Sequence, residues 1–496
     1  MLMLSLPTAL HSVAQARAID RYAIDKLCIP GYTLMTRAGE AGLATLRRSW
    51  PTAERILVAC GSGNNAGDGY VLARLARAER LDVTVLACGD PAHLKGDALT
   101  AFQEFLAAGG DVSREKTALS LQPDVIVDAL FGTGLTRDLD GHWCGWIDAL
   151  NANGAPILSL DVPSGLDADT GKIRGTAIRA DRTLVLAGLK IGLYVGSGPD
   201  CSGIVVFDDL GLDPDLSNQM GQIAARIDTR LLMSALPPRR RAANKGEYGH
   251  VLVLAGGLGM AGAARLAGEA CLRSGAGRVT VATRAANVAA ITAGRPELMT
   301  LAVEEGQDLA PLLKQVDLIA MGPGLGQDTW AQAVFDMAIA AAKPMVVDAD
   351  ALNLLARDPL RRDDWILTPH PGEAGRLLGV PAADVQADRL GAIAKLVDRY
   401  GGVAVLKGAG TLVLQNGEIP QLCDYGNPGM ASPGMGDVLT GVIAGLAVQT
   451  MDLWTAARAG VLAHALAGDA AARKGERGLL ASDLFAHLPA CVNPVR

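Results

Sequence analysis

The chain alternates between two kinds of segment, and that alternation restricts its fold more than any other feature. Short apolar runs end in turns rich in Gly, Asn and Asp, and most turns open a stretch of helical spacing. Arg55-Ile-Leu-Val-Ala-Cys60 reads as a strand buried on both faces, as in a parallel sheet. Gly61–Gly69 is its turn and Tyr70–Arg80 the helix that follows. An opening helix over 9–27 precedes it. Strands Asp82–Ala87, Asp124–Val127 and Pro156–Leu160, others near 183–186 and 204–207, and a helix Gly96–Ala108 continue the series. A second series has strands Gly249–Leu254, Arg278–Val281, Val316–Met321, Pro344–Val347, Trp365–Leu367 and Val403–Leu406, with helices Ala263–Ser274 and Thr329–Ala342 and a hairpin at Asn416-Gly417. Strand, turn and helix in repetition predict three-layer α/β units with mostly parallel sheets. Ligands in such units bind at the carboxyl ends of the strands.

Residues 213–247 are poor in strand pattern and contain Pro237-Pro-Arg-Arg-Arg241, a solvated connector. The expected division is therefore 1–220 and 228–496, with Arg226–Leu236 opening the second domain as a helix. No internal repeat makes the second half a copy of the first.

Charge and composition narrow the partners. Lys and Arg total 45 against 52 Asp and Glu, a net charge of −7, with no basic tail, so nucleic acid and anionic membrane are not expected partners. Aromatic residues at 4% cannot supply a stacking platform for single strands. The eight cysteines form no C-x-x-C and no zinc spacing, and read as reduced thiols of a cytoplasmic protein. The start, Met1-Leu-Met-Leu-Ser-Leu-Pro7, lacks a basic segment and is cut by proline, so no signal peptide is expected. Arg458 and Asp469 interrupt the last run long enough to suggest a membrane span.

The turns carry the chemistry. Gly61, Gly63 and Gly67 are one residue too widely spaced for the dinucleotide fingerprint, and no G-K-[ST] follows. Asn64, Asn65 and Asp68 nevertheless put short polar side chains on one tight turn. Asp128 and Asp161 end two further strands of the same series. One such Asp is ordinarily a helix cap; several polar strand ends converging make a site. Asn65, Asp128 and Ser164 offer oxygen only, which suits a hard cation rather than zinc.

In the second series, Asn427-Pro-Gly-Met-Ala-Ser-Pro-Gly-Met-Gly-Asp-Val-Leu-Thr-Gly441 is a loop emptying into an apolar helix over Val438–Val448. Free amides at Gly434-Met-Gly-Asp437 make an anion site. An acid there repels phosphate unless it serves as a base for the group that attacks it; the bland alternative is that Asp437 caps the helix. His370 stands between two prolines beside Glu373, and Lys407 leads a Gly-rich turn able to meet phosphates.

Taken together, these motifs resemble the bifunctional NAD(P)H-hydrate repair enzymes, over nearly the whole chain. The matching pieces are Gly63–Gly69, Asp128–Gly134, Asp161–Gly165, Lys245–His250, Gly322–Gly326, Asp348–Asn353, Thr368–Glu373 and Asn427–Gly441, in that order. One departure is Ala66, where the family often carries glycine.

The resemblance implies a Rossmann-like epimerase domain followed by a ribokinase-like, ADP-dependent dehydratase domain, acting on hydrated NADH and NADPH. It implies that Asn64, Asn65, Ala66, Gly67 and Asp68, then Gly132, Thr133, Gly134, Leu135, Thr136, Arg137 and Asp138, and Asp161, contact the hydrated cofactor in the first half. There Asn65, Asp128 and Ser164 would hold K+, and Asp161 is the candidate proton-transfer group. In the second half, Ala263, Gly324, His370 and Asp437 would contact the hydrate, with Asp437 as base. Lys407, Gly408, Ala409, Gly410, Thr411 and Gly436 would hold ADP, accompanied by Mg2+. A homo-oligomer is also expected. The rival readings are a small-molecule kinase of ribokinase type fused to a nucleotide-binding domain, and a nucleotide sensor without turnover.

Overall fold

The computed structural model describes residues 6–135, 137–213, 216–305 and 309–493. The chain divides into two compact units, Met1–Ala225 and Arg226–Arg496.

In the first unit the parallel sheet runs Val112–Ser113, Asp82–Ala87, Arg55–Cys60, Val125–Ala129, Ile157–Leu160, Arg182–Leu186, Ile204–Asp208. Its period-two pattern builds both outer layers. Ile56, Val58 and Cys60 pack into one core, while Leu57 and Ala59 pack into another on the opposite face. Fully burying a Leu or Ile in such a layer contributes about 1.5–3 kcal/mol. From strand Arg55–Cys60 the chain first builds outward, then returns to its other side as Val125–Ala129. The turns after these neighbouring strands therefore leave in opposite directions, opening a crevice at the carboxyl edge.

Two departures from the sequence reading bear on this crevice. The predicted helix Tyr70–Arg80 begins earlier, as Asn64–Ala78, so Asn64, Asn65 and Asp68 lie in its first turns rather than in a free loop. The opening segment is a short strand, Ala9–Leu10, and a helix Val13–Asp25, followed by a further helix, Gly31–Ser49, which the sequence reading left unassigned.

The second unit's sheet runs Gln421–Cys423, Thr411–Gln415, Val403–Leu406, Trp365–Leu367, Met345–Val347, Leu318–Met321, His250–Leu254, Arg278–Thr283, Met299–Ala302. Within these strands the Val403–Cys423 meander is antiparallel. The switch point lies between His250–Leu254 and Leu318–Met321. Arg226–Leu236 is not one helix: Ala224–Arg226 is a strand and Arg230–Ala235 a short helix.

The helix Met435–Thr450 is buried along nearly its whole length. It lies against helix Ala261–Arg273 so closely that a Cβ on Gly441 would stand 2.2 Å from the Ala267 carbonyl oxygen. Among the described residues no helix is long and apolar enough to cross a membrane. All eight cysteines are unpaired.

Candidate active sites

The first unit's crevice is a cavity of about 930 Å³. Asn64, Asn65 and Asp68 enter it from the helix that follows strand Arg55–Cys60, and Gly132, Thr133 and Gly134 from the turn after Val125–Ala129. Asp161 and Lys190 form part of the same wall, and helix Val13–Asp25 adds Arg17 and Asp20.

Asp161 stands just beyond strand Ile157–Leu160 with φ +68, a strained left-handed conformation for a non-glycine residue. Its Oδ1 accepts a hydrogen bond from Lys190 Nζ at 2.5 Å, and its Oδ2 one from the Thr133 amide at 3.4 Å. Lys190 also donates to the Leu186 carbonyl at 2.9 Å. Two more carboxyls face this pair. Burial, reinforced by Asp161 and Asp20, pushes the Asp68 carboxyl well above the usual range. Burial also raises that of Asp20, with Lys190 opposing and Asp161 adding to the shift. Burial and crowding of like charge thus favour the protonated forms of Asp68 and Asp20.

Beneath the cavity lies Asp128, with no exposed surface. Its carboxylate accepts hydrogen bonds from Ser164 Oγ at 2.6 Å, the Ser164 amide at 2.9 Å, Ser159 Oγ at 2.8 Å and the Leu130 amide at 3.2 Å. Burial raises its pKa, and the Ser164 and Ser159 bonds oppose the shift. Asn65 is buried too, yet its amide oxygen and nitrogen have no hydrogen-bond partner among the described residues. A Cβ on Gly132 would stand 3.1 Å from Asp161 Oδ2 and 3.5 Å from Asn65 Cγ, so glycine leaves the floor open.

Other anticipated residues lie apart. Ala66 and Gly67 are packed into the helix behind the cavity, where the alanine methyl is accommodated in the core. Leu135 is half-buried outside the cavity wall. Arg137 and Asp138 are exposed, and Asp138 stands 3.7 Å from Arg174. Thr136 lies outside the described residues.

In the second unit, the loops after His250–Leu254 and Leu318–Met321 are laced together by hydrogen bonds from the Gly256 amide to the Pro323 carbonyl and from the Gly257 amide to that of Gly324. Gly324 has φ +54, and a Cβ there would stand 3.1 Å from that of Ala263, so these two anticipated residues are adjacent.

His370 caps helix Pro371–Leu378: its Nδ1 accepts from the amides of Gly372 at 3.0 Å and Glu373 at 3.4 Å. An accepting Nδ1 assigns the proton to Nε2, which lies 3.5 Å from Glu373 Oε1 on a half-exposed ring. Lys407 is held by Asp348 Oδ1 at 2.6 Å and lies 3.7 Å from Glu373. Burial alone would lower its pKa, but the two carboxylates outweigh burial and raise it. Asp348 Oδ2 accepts from Thr440 Oγ1 at 2.7 Å, tying the pair to helix Met435–Thr450.

That helix starts at Gly434, in the left-handed conformation at φ +89 with no side-chain cap. Asp437 therefore does not cap it. Burial, with Asp348 adding, pushes its carboxyl up to about 6, while Lys407 pulls the other way. Gly436 faces the same cluster: a Cβ there would stand 3.4 Å from Lys407 Nζ. The Gly408, Ala409 and Gly410 amides donate to no backbone carbonyl among the described residues. Thr411 Oγ1 closes the turn by donating to the Gly408 carbonyl at 2.9 Å.

The sequence reading did not single out Lys190, Asp20, Thr440 or Arg389. It placed Asp348 and Glu373 within motifs without giving them a role. Lys190 has no motif around it, and only its burial beside Asp161 marks it.

Residues 31–192 match the family model described as YjeF-related protein N-terminus, and residues 251–490 match that of NAD(P)H-hydrate dehydratase. The bifunctional NAD(P)H-hydrate repair enzyme Nnr of Coxiella burnetii is 46% identical over 98% of this chain and 100% of its own length. The enzyme of the same name from Escherichia coli is 45% identical over 99% of this chain and 95% of its own. Among solved structures, a ribokinase-like superfamily protein from Enterococcus faecalis superposes with a TM-score of 0.51 at 30% identity, covering 55% of this chain and 96% of that one. The chain belongs to the family of bifunctional NAD(P)H-hydrate repair enzymes.

Proposed function

We propose that the first unit interconverts the R and S hydrates of NADH and NADPH, and that the second dehydrates the S form with ADP, releasing AMP and phosphate. Asp437 carries the second half of this reading. Its carboxyl is raised to about 6 and caps no helix among the described residues, and it lies at a helix N-terminus beside a half-buried lysine. Hydroxide is a poor leaving group at neutral pH, and a phosphorylated hydroxyl is a good one. Asp437 takes the proton of the hydrate's hydroxyl as its oxygen bonds to the β-phosphorus of ADP and the bond to the AMP oxygen breaks. Phosphate then leaves the ring carbon as the ring nitrogen's electron pair forms an iminium, and loss of a proton from the neighbouring ring carbon to solvent restores the dihydronicotinamide. Lys407 and the helix N-terminal amides stabilise the charge on the transferring phosphoryl group. Gly408, Ala409 and Gly410 offer amides to the nucleotide, Gly436 leaves space beside Lys407, and Mg2+ enters with ADP. Ala263 and Gly324 line the hydrate's place, and His370 offers its Nε2 proton to it.

In the first unit Asp161 is the proton-transfer group, held by Lys190, with Asn64, Asp68, Gly132, Thr133 and Gly134 against the substrate. Asn65, Asp128 and Ser164 fit a K+ ion: Asn65 has a buried carbonyl oxygen without a partner, and Asp128 a buried carboxylate whose ionised form a cation favours. A K+ ion held by these residues would supply positive charge to the site. We also infer a cytoplasmic homo-oligomer; its eight unpaired thiols suit a reducing compartment.

The test is incubation of the intact chain with mixed hydrate epimers and ADP, following the absorbance of reduced nicotinamide. Recovery should pass beyond the share that the S form alone supplies. No recovery, or recovery independent of ADP, overturns the reading. ATP-dependent phosphorylation of a stable alcohol would favour the kinase.

A further inference from the structure

Arg389 opens helix Arg389–Tyr400 and is 4% exposed. Its Nη2 donates towards the carbonyls of Leu406 at 3.1 Å, Gly410 at 3.2 Å and Lys407 at 3.3 Å, and its Nη1 to Gln386 Oε1 at 2.7 Å. Burial lowers its pKa to about 10. No salt bridge to Arg389 occurs among the described residues, and its Nε has no hydrogen-bond partner. A buried guanidinium held only by neutral acceptors is costly, and a hydrophobic side chain would fill the volume at less expense.

The carbonyls it collects belong to the turn whose amides at Gly408, Ala409 and Gly410 have no backbone acceptor. A Cβ on Gly408 would stand 3.1 Å from Arg389 Nη1, so charge and turn are in direct contact. Holding a turn's carbonyls to one side leaves its amides for an anion.

Resting on the assignment of this turn to ADP, we propose that Arg389 is a positioning residue for the diphosphate. It fixes the Lys407–Thr411 turn through its carbonyls and places an uncompensated positive charge behind it. Arg389 touches neither substrate nor the reacting atoms. Its effect is confined to nucleotide affinity, because the hydrate lies against other loops.

The experiment compares the intact wild-type chain with Arg389→Met and Arg389→Lys. It measures KM for ADP, KM for the S hydrate, kcat for dehydration and the rise in Tm caused by ADP. For Arg389→Met the ADP KM should rise roughly 10- to 100-fold, as when a supporting shell is removed. The hydrate KM should stay within about twofold, and kcat should change much less than the ADP KM. Arg389→Lys should rise less, because it keeps the charge but not the forked geometry. Loss of packing alone would lower Tm and the active fraction without moving the ADP KM. If Arg389→Met does not fold, Arg389→Lys carries the same test. An unchanged ADP KM in a folded variant, or ADP and hydrate KM rising together, overturns the proposal. If ADP neither supports turnover nor raises Tm in the wild type, the nucleotide assignment fails first and the proposal with it.

Discussion

Each unit places a lysine–aspartate ion pair just beyond the carboxyl ends of its strands, but the two pairs are buried in opposite senses. In the first, Lys190 is 3% exposed and its partner Asp161 14%; in the second, Asp348 is 2% exposed and its partner Lys407 17%. The first cavity is therefore met by a carboxylate with a lysine behind it, and the second site by an ammonium with a carboxylate behind it. A carboxylate there suits moving a proton to and from the hydroxyl of a carbinolamine carbon whose configuration inverts. A positioned ammonium at a helix N-terminus suits phosphoryl transfer. On the function proposed above, one kind of ion pair, reversed, serves two chemistries.

The largest effect should come from Asp437→Asn, which removes the base but keeps its shape. Dehydration of the S hydrate should fall by roughly 10²–10⁴, with epimerisation unchanged. Tm near neutral pH should hold or rise. A carboxyl raised in the fold from 3.8 to about 6 loses stability as pH climbs through that window, and the amide has no such loss. In the wild type, kcat/KM should fall about tenfold per pH unit below about 6 as the base is protonated, and Asp437→Asn should lack that limb. Near-normal dehydration by the variant would remove the base from the mechanism.

Next in size, Asp161→Asn should slow epimerisation by roughly 10² while leaving dehydration of pure S hydrate intact. Equal loss of both activities would break the contrast between the units. Smallest, Asn65→Ala should weaken the epimerase response to K+ by about tenfold, read by titrating K+ against a Na+ background. An identical response in both proteins would remove Asn65 from the cation site.

Much of the scaffold was legible. Arg55–Cys60, Trp365–Leu367 and Val403–Leu406 fall where their apolar runs predict, because a strand buried on both faces must be continuously apolar. Helix starts were read less well. Asn64–Ala78 begins inside a Gly- and Asn-rich run whose composition signals a turn, yet small polar residues suit a helix start that faces a ligand. Helix Gly31–Ser49 escaped notice because Ala and Gly make up much of its buried face. The polar strand ends Asp128 and Asp161 were visible from the sequence, since each directly follows or ends an apolar run. Lys190 and Arg389 were not: they act through backbone carbonyls and, for Lys190, a distant carboxylate, and long-range pairing leaves no local spacing.

The burial of helix Met435–Thr450 has a consequence for synthesis. Every strand of the second unit's sheet precedes it in the chain, so on the ribosome the sheet emerges before the helix that covers part of it. Until that helix arrives, Ala267 and Ala270 have no partner for the surface that Gly441 meets so closely. A nascent chain stopped before residue 435 would carry a complete first unit and a second with a bare apolar face, open to chaperones and proteases. Since the same helix brings Asp437, the second unit gains a central part of its core and its proposed base together, late in the chain.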